Sequence, residues 1–550
     1  MESPVKIARK RGSDLLEQFF EIRKYKIYKL RCLVAEYARL IIKEEFMKKA
    51  LAILLLLSAL LGLVSCNGSK GDKEEGKECL DENDVVIASG GSSEYTVVWK
   101  AGAQGAEKQA VMDLSSKITE ITGATLEMKI DLVIPGEDAT LPEKALFVGK
   151  VGYDGVKEKW SALGENDYTV TEENGNVYVM GGSEYAIYYA MLHFKNSFIN
   201  MGTKSVTVPT GYSYVFEGAD SREDYINDPN KLLMNWITEF ETPAEMLDFE
   251  EKRASFANPA GRMMSFAHRG DSEHYPENSI EGVISSVMMG SDCIEIDVRV
   301  TKDGVPVLFH DDDLGGKTNY DSVKGKEVNG IRLPMSSRIS DWTFEQLRCL
   351  RLKNGHGGSE KLTNYVIPTL EEVLKVCNNR CMVMIDKIGS ASDMRNIVFP
   401  VCEKLDAYSC IIFCGGMSMA DAYQLRKQLR DKGVAEDELP TYLGRVLWSS
   451  KGTWESSINQ IKQGGMPPLL RISGFGSSTS DDCLWYLEQM KEGLLSVKGK
   501  VRWQFDSQLG GNGINETVAV WDKAYELGVN SMMVDKPLAI CQYIAQKHFS

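Results

Sequence analysis

Histidine is scarce in this chain, six among 550 residues. Few side chains can therefore trade protons near neutral pH, and two histidines close together mark a place to look for chemistry. Positive charge is also short. Lys and Arg number 63 against 78 Asp and Glu, a net −15, which argues against nucleic acid as a partner, because a phosphate backbone selects a basic face. A small anion held by a few local cations remains compatible with that balance. Cysteine pairs with zinc-site spacing are missing as well. Cys377/Cys381 and Cys410/Cys414 have three intervening residues and no histidine beside them, which argues against a zinc site. Cys293, Cys381 and Cys410 lie inside apolar strand-like runs and read as small hydrophobes.

The chain is long enough for two or three domains, and 43% hydrophobic with 26% charged residues is a globular balance. Residues 47–66, MKKALAILLLLSALLGLVSC, set two lysines before an apolar run that is short for a membrane span and ends in small residues and a cysteine. That is the layout of a secretory signal. It resembles the bacterial lipoprotein signal, and the resemblance implies that Cys66 is lipidated. The protein is then an exported lipoprotein anchored to a membrane, in the periplasm or at the cell surface. Residues 67–83 are a polar tether. Residues 1–46 carry eleven Lys or Arg against seven Asp or Glu ahead of a signal with its own Met47, and read as translation from an upstream start.

Residues 84–218 read as a small α/β unit. DVVIA, YTVVWK and ALFVGKV are strand-like, and EKQAVMDLSSKITEITG is an amphipathic helix stopping at Gly123. DYTVTEE and NVYVM flank an Asn-Gly hairpin signal, and EYAIYYAMLHFKNSF follows as a helix. This order resembles the accessory domain that precedes the barrel in α-glucuronidase- and β-hexosaminidase-type glycoside hydrolases. The resemblance implies a domain without catalytic residues, with glycan contact as its possible role. Residues 219–262 are a charged, partly helical connector.

From 263 to 550 strand-like and helix-like stretches alternate. MMSFAH, DCIEIDVRV, VPVLFH, CMVMID, CIIFC, PLLRIS, VRWQF and SMMVD are the strand candidates, separated by helical patterns such as SIEGVISSVMMG and TLEEVLKVC. The fold class is α/β, a (β/α)8 TIM-type barrel preceded by the smaller α/β domain, with chemistry expected at the strands' C-terminal ends.

Polar residues gather at those ends: His268-Arg269-Gly270, Glu295-x-Asp297, His310 with three aspartates after it, and Asp386-Lys387. Residues two apart share a strand face, so Glu295 and Asp297 both point to the interior. Two inward carboxylates are costly to bury unpaired, and oxygen-only ligands point to Ca²⁺ or Mg²⁺. In Pro276-Glu277-Asn278-Ser279, Asn278 and Glu281 read as a helix-start box. His274 reads as an exposed loop residue, and Asp535-Lys536-Pro537 as a structural turn.

The pieces AHRG, PENS, EIDVRVTKDGVPVLFHDDDL, IPTLEEVL and ELGVNSMMVDKP stand in the order found in the glycerophosphodiester phosphodiesterase family, which residues 263–545 resemble. The resemblance implies a metal-dependent barrel hydrolase that splits glycerophosphodiesters into glycerol 3-phosphate and an alcohol. By position, His268 and His310 are the acid/base pair, Arg269 binds the phosphate, and Glu295 and Asp297 hold the metal. The family typically has Glu-x-Lys on the next strand, as third metal ligand and phosphate contact. Here Asp386 and Lys387 are adjacent and cannot both point inward from a regular strand. The expectation is that Asp386 is the third ligand and Lys387 reaches the phosphate from the following loop. Lys317, in DLGGKTN, stands where many relatives carry Arg-Thr-Thr, a change at the substrate end of the pocket. Two other readings stay open: a lipoprotein that binds glycerophosphodiesters or glycans without turnover, and a phospholipase C-like cleavage of a larger substrate.

Overall fold

The computed structural model describes residues 84–132, 141–238, 248–358, 361–388, 390–414, 418–447, 455–456, 458–459, 462, 469–473, 480–506 and 516–548. The signal-like run, Cys66 and the tether lie outside the described residues.

In the first domain, Thr96–Trp99 runs parallel to Glu127–Ile130 and to Ala145–Val148. Asn176–Gly181 extends the sheet in parallel, and Tyr168–Glu173 and Ser213–Phe216 complete six strands in antiparallel pairing. The Tyr168–Gly181 hairpin turns at Asn174 and Gly175, whose φ values of 53° and 80° give the left-handed pair that a tight hairpin requires. Helices Gly105–Thr122 and Glu184–Phe198 bury Ala110, Val111, Leu114 and Ile118, and Ile187, Met191 and Phe194, in the apolar core.

The second domain is a closed barrel of parallel strands. Met264–His268 pairs with Cys293–Val300 on one side and with Val529–Val534 on the other, which closes the ring. Between them run Met382–Asp386, Ile411–Phe413, Thr441–Leu447, Leu469–Ser473 and Arg502–Asp506, each parallel to its neighbours. These eight are called the first to eighth barrel strands in chain order. All eight C-terminal ends open at one mouth, where a (β/α)8 barrel carries its site.

One expected strand takes a different place. Pro306–Leu308 is not a barrel strand but pairs antiparallel with Val298–Val300, the overhanging end of the second strand. Five residues separate the two strands, enough for a hairpin and too few for a parallel crossover. The remaining barrel strand is Thr441–Leu447, TYLGRVL, where Gly444 and Arg445 interrupt the apolar run and hide it.

The connector does more than join the domains. Its helix Phe249–Ala257 lies under the barrel with Phe249, Lys252 and Phe256 buried. Arg502, from the base of the seventh strand, donates to the carbonyls of Ser255, Phe256 and Asn258 and so satisfies the end of that helix. Lys252 Nζ donates to the carbonyls of Ser291 and Arg380 at 3.0 and 2.9 Å. Higher up, Trp236 is fully buried and its Nε1 donates to Ser285 Oγ at 2.9 Å. Eight of the cysteines, from Cys293 to Cys541, are buried thiols outside any disulfide.

Candidate active site at the barrel mouth

The first strand ends in two consecutive left-handed residues, Arg269 at φ 59° and Gly270 at φ 79°. A Cβ on Gly270 would stand 2.9 Å from the Gly282 backbone carbon, so the glycine lets the chain turn against the following helix. The turn is pinned where the Arg269 amide donates to the Glu295 carbonyl at 2.9 Å and the Asn278 amide donates to the Arg269 carbonyl at 2.8 Å. His268 and Arg269 thereby leave the strand side by side with different tasks. His268 Nδ1 lies 2.7 Å from Asp535 Oδ1, at the end of the eighth strand. Asp535 is therefore the orienting partner of a histidine rather than a turn residue alone. Glu516 in turn accepts the amides of Asp535 and Lys536. Burial, and then the charge of Asp535, pushes the Glu516 carboxyl up to about 8.

Arg269 is held among three carboxylates. Its Nη1 donates to Glu277 Oε2 at 3.0 Å and its Nε lies 3.2 Å from Asp297 Oδ2. Burial opposes its charge, but Glu277, Asp297 and Glu295 outweigh it and raise its pKa. Glu277 also accepts from Lys317 Nζ at 2.6 Å and from the Gly357 amide at 2.8 Å. Burial works to raise the Glu277 pKa, yet Arg269 and Lys317 bring it down to about 2. Lys317 and Gly357 both come from the long excursion after the hairpin, which packs around its own apolar cluster of Phe309, Leu314, Trp342 and Leu350.

Asn278 is a site residue rather than a helix cap. Its Nδ2 donates to Asp297 Oδ2 at 2.9 Å, and the Asp297 amide donates to Asn278 Oδ1 at 3.0 Å. The cap of the helix Ile280–Met288 is Ser279, which accepts from the Gly282 amide, while Glu281 receives the Tyr225 hydroxyl of the connector. His274 is drawn in from solvent, with Nδ1 2.9 Å from Asp271 Oδ2.

The hairpin delivers His310 to the same place. Its Nδ1 lies 2.6 Å from Asp311 Oδ1, and Asp311 also pairs with Lys317 at 3.1 Å. Burial and the Arg269 charge hold the His310 pKa below the ordinary imidazole value, against the pull of Asp297 and Asp311. That direction favours the neutral imidazole.

The structure thus brings His268, Arg269, Glu277, Asn278, Glu295, Asp297 and His310 together at one end of one barrel. Residues 268–415, spanning all of these, match the model of the glycerophosphoryl diester phosphodiesterase family. That stretch is a glycerophosphoryl diester phosphodiesterase family domain. Among curated proteins, mouse glycerophosphodiester phosphodiesterase 1 is 30% identical over 136 residues, 25% of this chain and 37% of the mouse protein. A glycerophosphodiester phosphodiesterase of Bacillus altitudinis is 35% identical over 121 residues, 22% of this chain and 42% of its own length. The chain therefore spans about two fifths of the curated relatives it matches. Among solved structures, a glycerophosphoryl diester phosphodiesterase from Parabacteroides distasonis is 19% identical with a TM-score of 0.37, covering 55% of this chain and 94% of that one. An Oleispira antarctica phosphodiesterase in complex with the product sn-glycerol-3-phosphate is 16% identical with a TM-score of 0.35, covering 52% and 98%.

In this family domain the third-strand pair behaves differently from the expectation. Asp386 points inward, in register with Asp297. Its Oδ1 accepts the Lys387 amide at 2.7 Å and its Oδ2 lies 3.6 Å from Arg471 Nη1. Lys387 follows in a left-handed conformation, φ 64°, and is exposed. It lines a cleft with Arg299, Asp312 and Arg338. The strand ends at Asp386, and Lys387 already lies in the turn that follows.

The remaining donors suit a hard divalent cation. Glu295 and Asp297 are 2% and 1% exposed and offer only oxygen. Burial, and then repulsion from Asp297 and Asp386, drives the Glu295 pKa well above the usual carboxylate range, against the pull of Arg471 and Arg269. Among the described residues no three His, Cys, Asp or Glu side chains converge as a ready ligand set. Glu295 and Asp297 are the residues that would hold such an ion. Arg471 and Asp506, joined at 2.7 Å inside the barrel, are missed by motif reading. The available signal was an arginine inside the apolar strand run PLLRIS, since a buried charge on a barrel strand needs a partner.

Proposed function

We propose that this protein hydrolyses glycerophosphodiesters to glycerol 3-phosphate and an alcohol, using His268 and His310 as its acid/base pair and Ca²⁺ or Mg²⁺ at Glu295 and Asp297. One observation carries the reading: a single guanidinium, Arg269, is fixed between Glu277 and Asp297 and close enough to His310 to depress its pKa. Phosphate recognition and a proton acceptor then share one mouth, inside a domain of a phosphodiesterase family.

The chemistry follows from what each group can do. Arg269 directs a planar array of donors at the phosphoryl oxygens, where negative charge accumulates as the diester is attacked. His310, neutral at rest, takes the proton of the attacking hydroxyl. His268, with Asp535 against Nδ1 to fix its tautomer and steady its imidazolium, gives a proton to the departing alcohol. Glu295 and Asp297 would hold a divalent ion, which would supply Lewis-acid stabilisation of developing negative charge. Asn278 orients Asp297, and Glu277 orients Arg269 and Lys317. The lipoprotein-like run ending in Cys66 supports an exported, membrane-anchored setting. Radiolabelled lipid incorporation lost in Cys66→Ala tests that part.

Phosphorus NMR tests the reaction. The purified protein is incubated with glycerophosphocholine, glycerophosphoethanolamine or glycerophosphoinositol, with Ca²⁺, with Mg²⁺ or with chelator. A metal-dependent glycerol 3-phosphate signal, absent in His310→Ala, is the expected result. No turnover of any diester with either ion sinks the proposal.

A further inference from the structure

Arg471 sits on the sixth barrel strand, where interior positions are ordinarily filled by aliphatic side chains. It is 9% exposed. Its guanidinium crosses the barrel from the sixth strand toward the third. Nε donates to Asp506 Oδ2 of the seventh strand at 2.7 Å, and Nη1 stands 3.6 Å from Asp386 Oδ2 of the third and 3.7 Å from Cys414 Sγ beyond the fourth. One cation therefore ties together four of the eight strands at the mouth. A lone buried guanidinium would be costly, and so would Asp386 and Asp506 without a cation. Each accounts for the other's presence.

The oxygens of Glu295, Asp297 and Asp386 divide in a telling way. Asp386 has both engaged, Oδ1 by the Lys387 amide and Oδ2 by Arg471. On Asp297, Oδ2 serves Asn278 and Arg269, while Oδ1 makes no hydrogen bond among the described residues. On Glu295, Oε2 accepts only a long 3.3 Å bond from the Arg269 amide, and Oε1 makes none among the described residues. Of these three, Glu295 and Asp297 keep the oxygens open to a metal ion.

We infer that Arg471 is a positioning residue that takes Asp386 as its own carboxylate partner, a fixed cation at the third strand that leaves Glu295 and Asp297 as the protein ligands of the divalent ion. The inference rests on the phosphodiesterase reading only for the identity of that ion's site. A guanidinium is always charged, so Arg471 keeps a positive charge beside Asp386 and Asp506 whether or not an ion is bound.

Mn²⁺ titration of the full chain, followed by the electron paramagnetic resonance of the free ion, tests this without turnover. Asp386→Asn is expected to bind Mn²⁺ within twofold of wild type, and Glu295→Gln at least tenfold more weakly. Arg471→Met frees the Asp386 and Asp506 carboxylates and is expected to tighten Mn²⁺ at least fivefold. Adding Asp386→Asn to Arg471→Met removes that gain. A merely structural role for Arg471 does not tighten metal binding. If Arg471→Met fails to fold, Arg471→Lys, which keeps the charge but cannot bridge two carboxylates, should show a smaller tightening of the same sign. A tenfold loss in Asp386→Asn, unchanged or weaker binding on loss of Arg471, or no Mn²⁺ uptake by the wild type overturns the inference. Failure of the wild type to cleave any diester counts against the phosphodiesterase reading and leaves these titrations standing.

Discussion

Asn278 and Asp297 hold each other by two hydrogen bonds, side-chain amide to carboxylate at 2.9 Å and backbone amide to side-chain carbonyl at 3.0 Å. Asn278 adopts φ 57°, a left-handed conformation that Asn and Asp tolerate better than most residues. Asn278→Asp therefore keeps the backbone and the shape while setting a carboxylate against the Asp297 carboxylate. Turnover is expected to fall at least tenfold, with a stability loss on the order of 2 kcal/mol from the broken buried pair. Steady-state kinetics beside urea unfolding check both. Unchanged kinetics would show that Asp297 needs no such clamp.

His310 has opposing neighbours, and their signs are separable. Its pKa lies below the usual 6.5, through burial, Arg269 and Lys317, while Asp297 and Asp311 pull it up. A base works when neutral, so the acid limb of kcat/KM is expected below pH 6.5. Lys317→Met removes a cation that favours neutral imidazole, and the limb should move up. Asp311→Asn removes an anion that favours imidazolium, and the limb should move down. Shifts of one direction in both variants would remove His310 from the base role.

The barrel is legible in the sequence because its buried strands are short apolar runs that end in polar residues, and helical periodicity fills the spaces between them. Reading goes astray where a run is ambiguous in partner or broken in composition. VPVLFH is as apolar as a barrel strand, and only the four residues before it betray a hairpin. TYLGRVL is a barrel strand with a glycine and an arginine inside it. At the site, residues tied to local motifs are readable: His268 and Arg269 from a strand end, Glu295 and Asp297 from period-two spacing. Contacts made by closing the ring are not. Asp535 meets His268 across 267 residues, and Arg471 meets Asp386 across the interior, because closure sets the seam and the third-strand register.

Glu277 links the site to acid stability. Its folded pKa of about 2 lies below the ordinary 4.5, so its contribution is complete above pH 4.5 and is lost as pH falls toward 2. The shift corresponds to a contribution on the order of 3 kcal/mol at neutral pH. Glu277→Gln should be less stable than wild type by about that amount at pH 6, and the gap should narrow as pH falls below 4.5 and close only near pH 2. Urea midpoints at a series of pH values measure it. A gap independent of pH would mean that packing rather than charge supplies the difference.

Ser285 joins the connector to the catalytic turn. Its hydroxyl accepts from Trp236 Nε1 at 2.9 Å and donates to Asp271 Oδ2 at 2.6 Å, two residues beyond Arg269. Trp236→Phe removes the first bond and leaves the second. Ser285→Ala removes both and lessens the hold on Asp271, whose amide in turn bonds the Gly282 carbonyl behind the turn. Both variants should lose stability, on the order of 1–3 kcal/mol for a buried group left unpaired. Only Ser285→Ala should also lower kcat, because only it loosens the segment that carries His268 and Arg269. Equal kcat losses in both would assign the effect to domain docking through Trp236, and the melting temperature and kcat of the two variants, measured together, decide between the loop and the interface.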